Sequence, residues 1–264
     1  IKSEEEIKEI EHAVSVTAEM HQAGMRYAKP GMTEAQVAAK VYEVALAAGG
    51  GISFPIIATI NGQTLHNHYH GNTIKEGQLF LLDAGYETPM GYAGDMSSTF
   101  PVGKTFTEKQ KEIYRITLAA HNGAIDMLKP GVHFRDVHMQ VARVIFDGLK
   151  GMGFTKGNTE DAITNGAHAL FFPCGTGHLM GLDVHDMENL GEQWGGYCGG
   201  PKSKQFGLKS LRLGRELTPG FVITIEPGIY FIPELIDLWQ QNGINKDFIN
   251  FDRVNEYRNF GGIR

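Results

Sequence analysis

Apolar residues at Ile7, Ile10, Val14 and Ala18 recur at helical spacing behind Ser3 and Glu6, a capping-box pair, and predict a helix over 3–28. Thr33 with Gln36 makes a second box and predicts a helix to about Ala48. The turn between them, Lys29-Pro30-Gly31, returns as Lys129-Pro130-Gly131, again between helical patterns. There Thr107 with Gln110 opens a helix to Leu128, and another runs from about Phe134 to Leu149. The strands echo as well. Leu79-Phe80-Leu81-Leu82-Asp83 parallels Phe221-Val222-Ile223-Thr224-Ile225-Glu226, and each acid follows a turn glycine, Gly77 or Gly220, by six residues. Both runs are read as buried apolar strands that end on a carboxylate. Pro-Gly turns before helices are common, but two matched helix pairs followed by two matched strand endings favour duplication. The expectation is two facing halves, about 1–103 and 104–264, with Asp83 and Glu226 near a pseudo-twofold axis. The fold class expected is α+β, helices covering a curved antiparallel sheet.

Composition narrows the function. The 264 residues carry 24 Lys+Arg against 30 Asp+Glu, a formal net charge of −6, with 42% hydrophobic and 20% charged residues. That suits one large globular domain or two fused halves, and it excludes a disordered chain. A nucleic-acid surface would want clustered Lys and Arg, so no nucleic-acid partner is expected. Cys174 and Cys198 match no zinc or redox spacing. No apolar run approaches the ~20 residues of a membrane span and no signal peptide is recognisable, which makes the cytoplasm the expected compartment. The first residue is Ile1, not Met, and the chain is expected to be a piece of something longer.

Burying Asp83 at the end of an apolar strand is costly unless its charge is paired or metal-bound. Asp95 follows twelve residues later, across Thr88-Pro89-Met90-Gly91, a type I turn signal. The two acids then lie on the arms of one hairpin, and they share a face only with a three-residue loop or a bulge. Two same-face carboxylates repel, and a divalent cation is the usual remedy. His178 and His185, seven apart, fall on opposite faces of a straight strand unless Gly181 supplies a bend. Asp83, Asp95, His178 and Glu226 together form an oxygen-rich set suited to Mn²⁺ or a similar ion. Other motifs carry less. Gly103-Lys104-Thr105 lacks the glycine of a phosphate loop at Ser98, and His66-Asn67-His68-Tyr69-His70 reads as a cleft-lining or solvated tract. No Gly-x-Ser-x-Gly or His-Glu-x-x-His supports a serine hydrolase or zincin.

The order of Asp83-Ala84-Gly85, Gly94-Asp95, Gly177-His178, Leu182-Asp183-Val184-His185-Asp186 and Glu226-Pro227-Gly228-Ile229-Tyr230 resembles the pita-bread metallopeptidases over essentially the whole chain. These are the methionine aminopeptidases, aminopeptidase P and prolidase, and the last two motifs are similar to those of the proline-specific members. The resemblance implies a duplicated pita-bread catalytic domain and a dinuclear centre held by Asp83, Asp95, His178 and Glu226. The ions expected are Mn²⁺ first, with Co²⁺, Zn²⁺ or Fe²⁺ as alternatives. It further implies Glu226 as general base on the bridging water and His185 as a substrate contact that stabilises the tetrahedral intermediate. His66 is implied to line the cleft, with His68 in reserve, and Arg264 is placed among the substrate-binding residues. A homodimer is usual among such relatives. Three departures stand out. The Asp83–Asp95 spacing is one residue longer than usual, Cys174 replaces a histidine often found there, and the chain stops at Gly261-Gly262-Ile263-Arg264. The family continues with Ile-Glu, so the last ligand strand is expected to be cut short, and an N-terminal domain is expected to precede Ile1.

Arg212 lies fourteen residues before Glu226, where prolidases place an arginine for the substrate's terminal carboxylate. Read alone, it is a solvated charge in a basic run with Lys202, Lys204, Lys209 and Arg215. With the resemblance, the activity expected is Xaa-Pro dipeptidase, acting on proline-containing dipeptides. The alternatives are an Xaa-Pro aminopeptidase acting on longer peptides and a non-catalytic pita-bread protein that binds peptides.

Overall fold

Reciprocal caps decide where three of the four long helices start. In the computed structural model, which describes residues 1–103 and 105–264, α1 spans Glu4–Tyr27, α2 spans Glu34–Ala47 and α3 spans Glu108–Asp126. Their N-caps Ser3, Thr33 and Thr107 accept from the backbone N–H of Glu6, Gln36 and Gln110, whose side chains accept from the caps in return. Each box satisfies donors that the first turn leaves open. The fourth helix, α4 (Phe134–Gly151), begins at His133 without a side-chain cap. Its position rests instead on an apolar face of Val137, Val141, Ile145 and Leu149, all fully buried. Antiparallel packing joins α1 to α2 and α3 to α4 through turns whose glycines, Gly31 at φ +90° and Gly131 at φ +88°, occupy the left-handed region.

The first half adds β1 (Gly51–Ile52), β2 (Ile57–Thr59), β3 (Leu79–Ala84), β4 (Tyr86–Glu87) and β5 (Met96–Pro101). β3 is central in an antiparallel order β2-β3-β5, and β1 pairs with β4. All of β3 is buried, and the two-residue strand period divides its work. Phe80, Leu82 and Ala84 pack with Met20, Val37 and Val41 of the helices. Leu81 and Asp83, on the other face, line a cleft.

The second half continues through α5 (Thr159–Thr164), a 3-10 turn at Ala167–Leu170, another at Glu188–Leu190 and α6 (Glu192–Gly195). It ends with β6 (Ile229–Tyr230), α7 (Pro233–Gln241), α8 (Phe251–Asn255) and β7 (Gly262–Ile263), β6 pairing antiparallel with β7. A larger core here gathers Phe134, Phe146, Phe154, Phe171 and Phe231. The boundary expected between the halves falls at Lys104, which lies outside the described residues.

One expectation needs correction. Residues 221–226 are extended but form no ladder strand, and they are half-buried throughout. Their bonds run antiparallel to one neighbour only: Met180 N to Val222 O at 3.0 Å, Thr224 N to His178 O at 2.9 Å and Glu226 N to Thr176 O at 2.7 Å. The rest of the segment borders a groove of about 1000 Å³ lined also by Val14, Ser98, Tyr114 and Leu118. An apolar run becomes a fully buried strand only when neighbours cover it on both sides, as β2 and β5 cover β3.

Two buried polar features matter to stability. Glu34, fully buried, accepts from Thr59 Oγ1 at 3.0 Å, Ile60 N at 2.9 Å, Asn72 N at 3.1 Å and Asn72 Nδ2 at 2.9 Å. One carboxylate in the first turn of α2 thus clamps both ends of the loop that carries His66. Glu34→Ala strands several donors at once and is expected to lower unfolding free energy by about 3 kcal/mol in urea titrations. A loss under about 1 kcal/mol would mean that the loop is held elsewhere.

His138 and His168 are fully buried, with ring centroids 6.2 Å apart. Burial drives their pKa values from 6.5 down to about 3 and about 4. The unfolded chain therefore takes up these protons first, so their contribution is complete above pH 6.5 and is lost progressively as pH falls toward 4. At pH 5 the loss is about 2 kcal/mol per histidine. His168→Gln should shrink the stability difference between pH 7 and pH 5 by about that amount; an unchanged difference would contradict the assignment.

Candidate metal centre and substrate cleft

The hairpin that carries Asp83 and Asp95 keeps one register to its tip. Asp83 pairs with Ser97 and Ala84 with Met96. The ladder continues through Gly94 N to Tyr86 O at 2.7 Å and Thr88 N to Tyr92 O at 3.0 Å, and Gly91 N to Thr88 O at 2.8 Å closes the turn. Pro89, Met90 and Gly91 form a three-residue loop, the first of the two arrangements, loop or bulge, that the even spacing allowed. With no slip in between, both carboxylates project from the same face.

The histidine and the remaining acid arrive on the paired segments 176–180 and 222–226. Gly177 is needed there, because a Cβ would lie 2.0 Å from Thr224 O. His178 Nδ1 lies 2.9 Å from Leu179 O. A carbonyl can only accept, so Nδ1 carries the proton and Nε2 faces the acids. Nε2 is 3.2 Å from Asp95 Oδ2 and 3.1 Å from Glu226 Oε1. An imidazole nitrogen aimed at two carboxylates is relieved by a proton or by a divalent cation held among the three groups. The Thr224 hydroxyl fixes this corner, accepting from His178 N at 3.0 Å and donating to Glu226 Oε1 at 2.7 Å.

Asp95, His178 and Glu226 each offer a ligand atom within 4.8 Å of the others. Asp83 stands just outside that group. Its Oδ2 accepts from Arg264 Nη1 at 2.9 Å, and its Oδ1 is buried without a partner. Burial pushes its carboxyl up to about 6, against the pull of Arg264. The Arg264 guanidinium also contacts Glu226, and its backbone is held by the Thr99 hydroxyl. Three acids, one imidazole whose other nitrogen is held by the Leu179 carbonyl, and a buried carboxylate oxygen without a partner fit a site for hard-to-borderline divalent cations.

These groups open on a cleft of about 410 Å³. His66, His185, Arg212 and Arg264, all singled out in the sequence, line it together with Asp83, His178 and Glu226. His185 packs edge-on against His178, ring centroids 4.4 Å apart, so the backbone bend expected at Gly181 does bring the two together. Burial, helped by His178 and Arg212, lowers the His185 pKa to about 4 and keeps the ring neutral. Burial also lowers the pKa of His66, whose backbone sits at φ +52°. His68 is exposed and is not among the lining residues, while Cys174 is one of them and its thiol is raised by burial.

Sequence reasoning missed Lys202, Glu192 and Tyr230 on the cleft wall, and Glu188 behind it. Lys202 carried no signal beyond membership of a basic run. Glu188 carried none, since a lone acid in a glycine-rich segment has no period to give it away.

Comparison with known proteins agrees with this geometry. The sequence profile of metallopeptidase family M24 matches residues 8–264. The Xaa-Pro dipeptidase of Mus musculus is 34% identical over 272 residues, covering 100% of this chain and 54% of that protein. The Xaa-Pro aminopeptidase of Escherichia coli K12 is 35% identical over 248 residues, covering 92% and 51%. The chain therefore spans about half the length of these relatives. Among solved structures, proline aminopeptidase P II from Yersinia pestis superposes with a TM-score of 0.80 at 33% identity, covering 100% of this chain and 53% of that one. Zinc-substituted E. coli aminopeptidase P in complex with product gives 0.77 at 34%, covering 89% and 49%. The fold is the α+β pita-bread fold of those enzymes. With a profile match over nearly its whole length and relatives above 30% identity, the chain belongs to metallopeptidase family M24.

Proposed function

We propose that the protein is a metal-dependent Xaa-Pro dipeptidase that hydrolyses the bond preceding proline in dipeptides. The observation that carries this reading is a single cleft that holds acids and His178 suited to divalent cations at one end and Arg212 on its wall. Asp83, Asp95, His178 and Glu226 are proposed to hold two divalent ions, Mn²⁺ by preference. Such ions would supply Lewis-acid polarisation of the scissile carbonyl and acidify a bound water.

The chain's own groups supply the rest. Glu226, oriented by the Thr224 hydroxyl, is the base that takes a proton from the attacking water. His185, held neutral by burial, donates an N–H to the oxyanion as charge develops there. His66 lines the cleft for the substrate, and Arg212 meets the terminal carboxylate that only a dipeptide presents at that distance. Arg264, beside Asp83 and Glu226, lies on the same wall. A homodimer accompanies this reading by resemblance alone, and a cytosolic location only as the expectation drawn from the sequence.

A second reading is an Xaa-Pro aminopeptidase that acts on longer peptides, favoured by the solved relatives named aminopeptidase P. Hydrolysis of Ala-Pro beside Ala-Pro-Ala, with and without Mn²⁺, separates the two. Manganese-dependent cleavage of Ala-Pro alone is expected, and Arg212→Ala should raise KM for Ala-Pro by about ten- to a hundredfold, the range of one charge-assisted contact. Comparable cleavage of Ala-Pro-Ala would overturn the dipeptidase assignment in favour of the aminopeptidase.

A further inference from the structure

Besides Arg264, which pairs with Asp83 and Glu226, two cations stand on the cleft wall, Arg212 and Lys202, and each is paired with a glutamate from one short segment. The pairs differ in where the acid sits. Glu192, the partner of Lys202, itself lines the cleft, so a ligand meets both charges together. Glu188 lies outside the cleft lining, against Met187, Gly195 and Gly196, and reaches Arg212 from behind. Its Oε2 is 2.5 Å from Arg212 Nη1. A ligand in the cleft thus meets Arg212 without its acid partner among the lining residues, whereas it meets Lys202 together with Glu192.

The segment is built to hold Glu188 there. Met187, immediately before it, adopts φ +68°, a left-handed conformation that a non-glycine residue keeps only where its surroundings enforce it. Those surroundings include Asp186, whose N–H donates to Leu179 O at 2.9 Å and whose carboxylate accepts from Lys2 at 2.6 Å. Gly191 N–H donates to Glu188 O at 3.0 Å and closes the 3-10 turn. Glu188 Oε1 is buried with no partner, a cost that one contact to a partly exposed arginine does not repay as stability. The same carboxylate lies 3.9 Å from His185 Nδ1, beyond hydrogen-bond reach.

We infer that Glu188 is a positioning residue, one that holds the flexible Arg212 guanidinium in place for the substrate's terminal carboxylate and thereby sets the preference for dipeptides. This rests on the dipeptidase reading of the cleft. An arginine chain held in advance loses less rotamer freedom on binding, so the effect of Glu188 belongs in the affinity for a free carboxylate.

The test compares kcat/KM for Ala-Pro with that for its C-terminal amide, which offers no carboxylate, in the full-length protein with Mn²⁺. Glu188→Ala is expected to lower the ratio about tenfold, mostly through KM for Ala-Pro. Glu188→Asp should restore part of it, and Glu188→Ala should add nothing in an Arg212→Ala background. If Arg212→Ala collapses the ratio and Glu188→Ala does not, Glu188 has no positioning role although Arg212 keeps its own. If Arg212→Ala leaves the ratio unchanged, the carboxylate-receptor reading fails and this inference with it. Equal losses on both substrates in Glu188→Ala would mark a merely structural residue and overturn the proposal.

Discussion

Mutual repulsion among buried acids is the constraint that organises this protein. Asp83, Asp95 and Glu226 converge on one end of a cleft, and His178 adds an imidazole nitrogen 3.1–3.2 Å from two of them. Burying several carboxylates together is unfavourable unless positive charge joins them. In this structure the Arg264 guanidinium supplies some of it, against Asp83 and Glu226, while Asp95 faces only His178 among its charged contacts described. An arrangement so demanding persists when it serves cation binding. The raised pKa of Asp83, with one oxygen left unpartnered, is the local record of that demand.

The fold answers this constraint through register. The hairpin from β3 to β5 turns on three residues without a slip, which puts Asp83 and Asp95 on one face. Segments 176–180 and 222–226 face it with their own antiparallel pairing, made possible by the missing side chain at Gly177. The helix pairs α1/α2 and α3/α4 act at a distance, covering the sheets and fixing the directions from which the strands enter. At the rim, Glu34 clamps the loop of His66 to α2, and the strained turn at Met187 presents Glu188 to Arg212. The candidate site's side chains thus sit on loops and strand ends, and the charged residues Glu34 and Glu188 contact the segments or side chains that line it.

Much of this was legible in the sequence because it is local. A capping box needs four residues and no tertiary partner, so Ser3, Thr33 and Thr107 marked the starts of their helices to within a residue. The parity of the Asp83–Asp95 spacing, with a turn signal between, narrowed the hairpin to a three-residue loop or a bulge, and the register shows the loop. Residues 221–226 misled because an apolar run does not say how many neighbours it will have, and here pairing runs along 176–180 only. The ligand set needed the whole pattern of motifs, since Glu226 is far in sequence from the hairpin acids. Read alone, Arg212 was indistinguishable from its basic neighbours; the resemblance singled it out, and the structure sets it on the cleft wall with Lys202 of the same run. Glu188 and Glu34 were illegible, because the value of a buried acid lies in what surrounds it.

The most direct measurement is calorimetric titration of metal-stripped protein with Mn²⁺ at neutral pH, on the parent and on His178→Ala. Saturable binding to the parent that is lost or severely weakened in the variant is the expected result. No binding to the folded parent, or equal binding to both, would contradict a metal centre built on Asp95, His178 and Glu226.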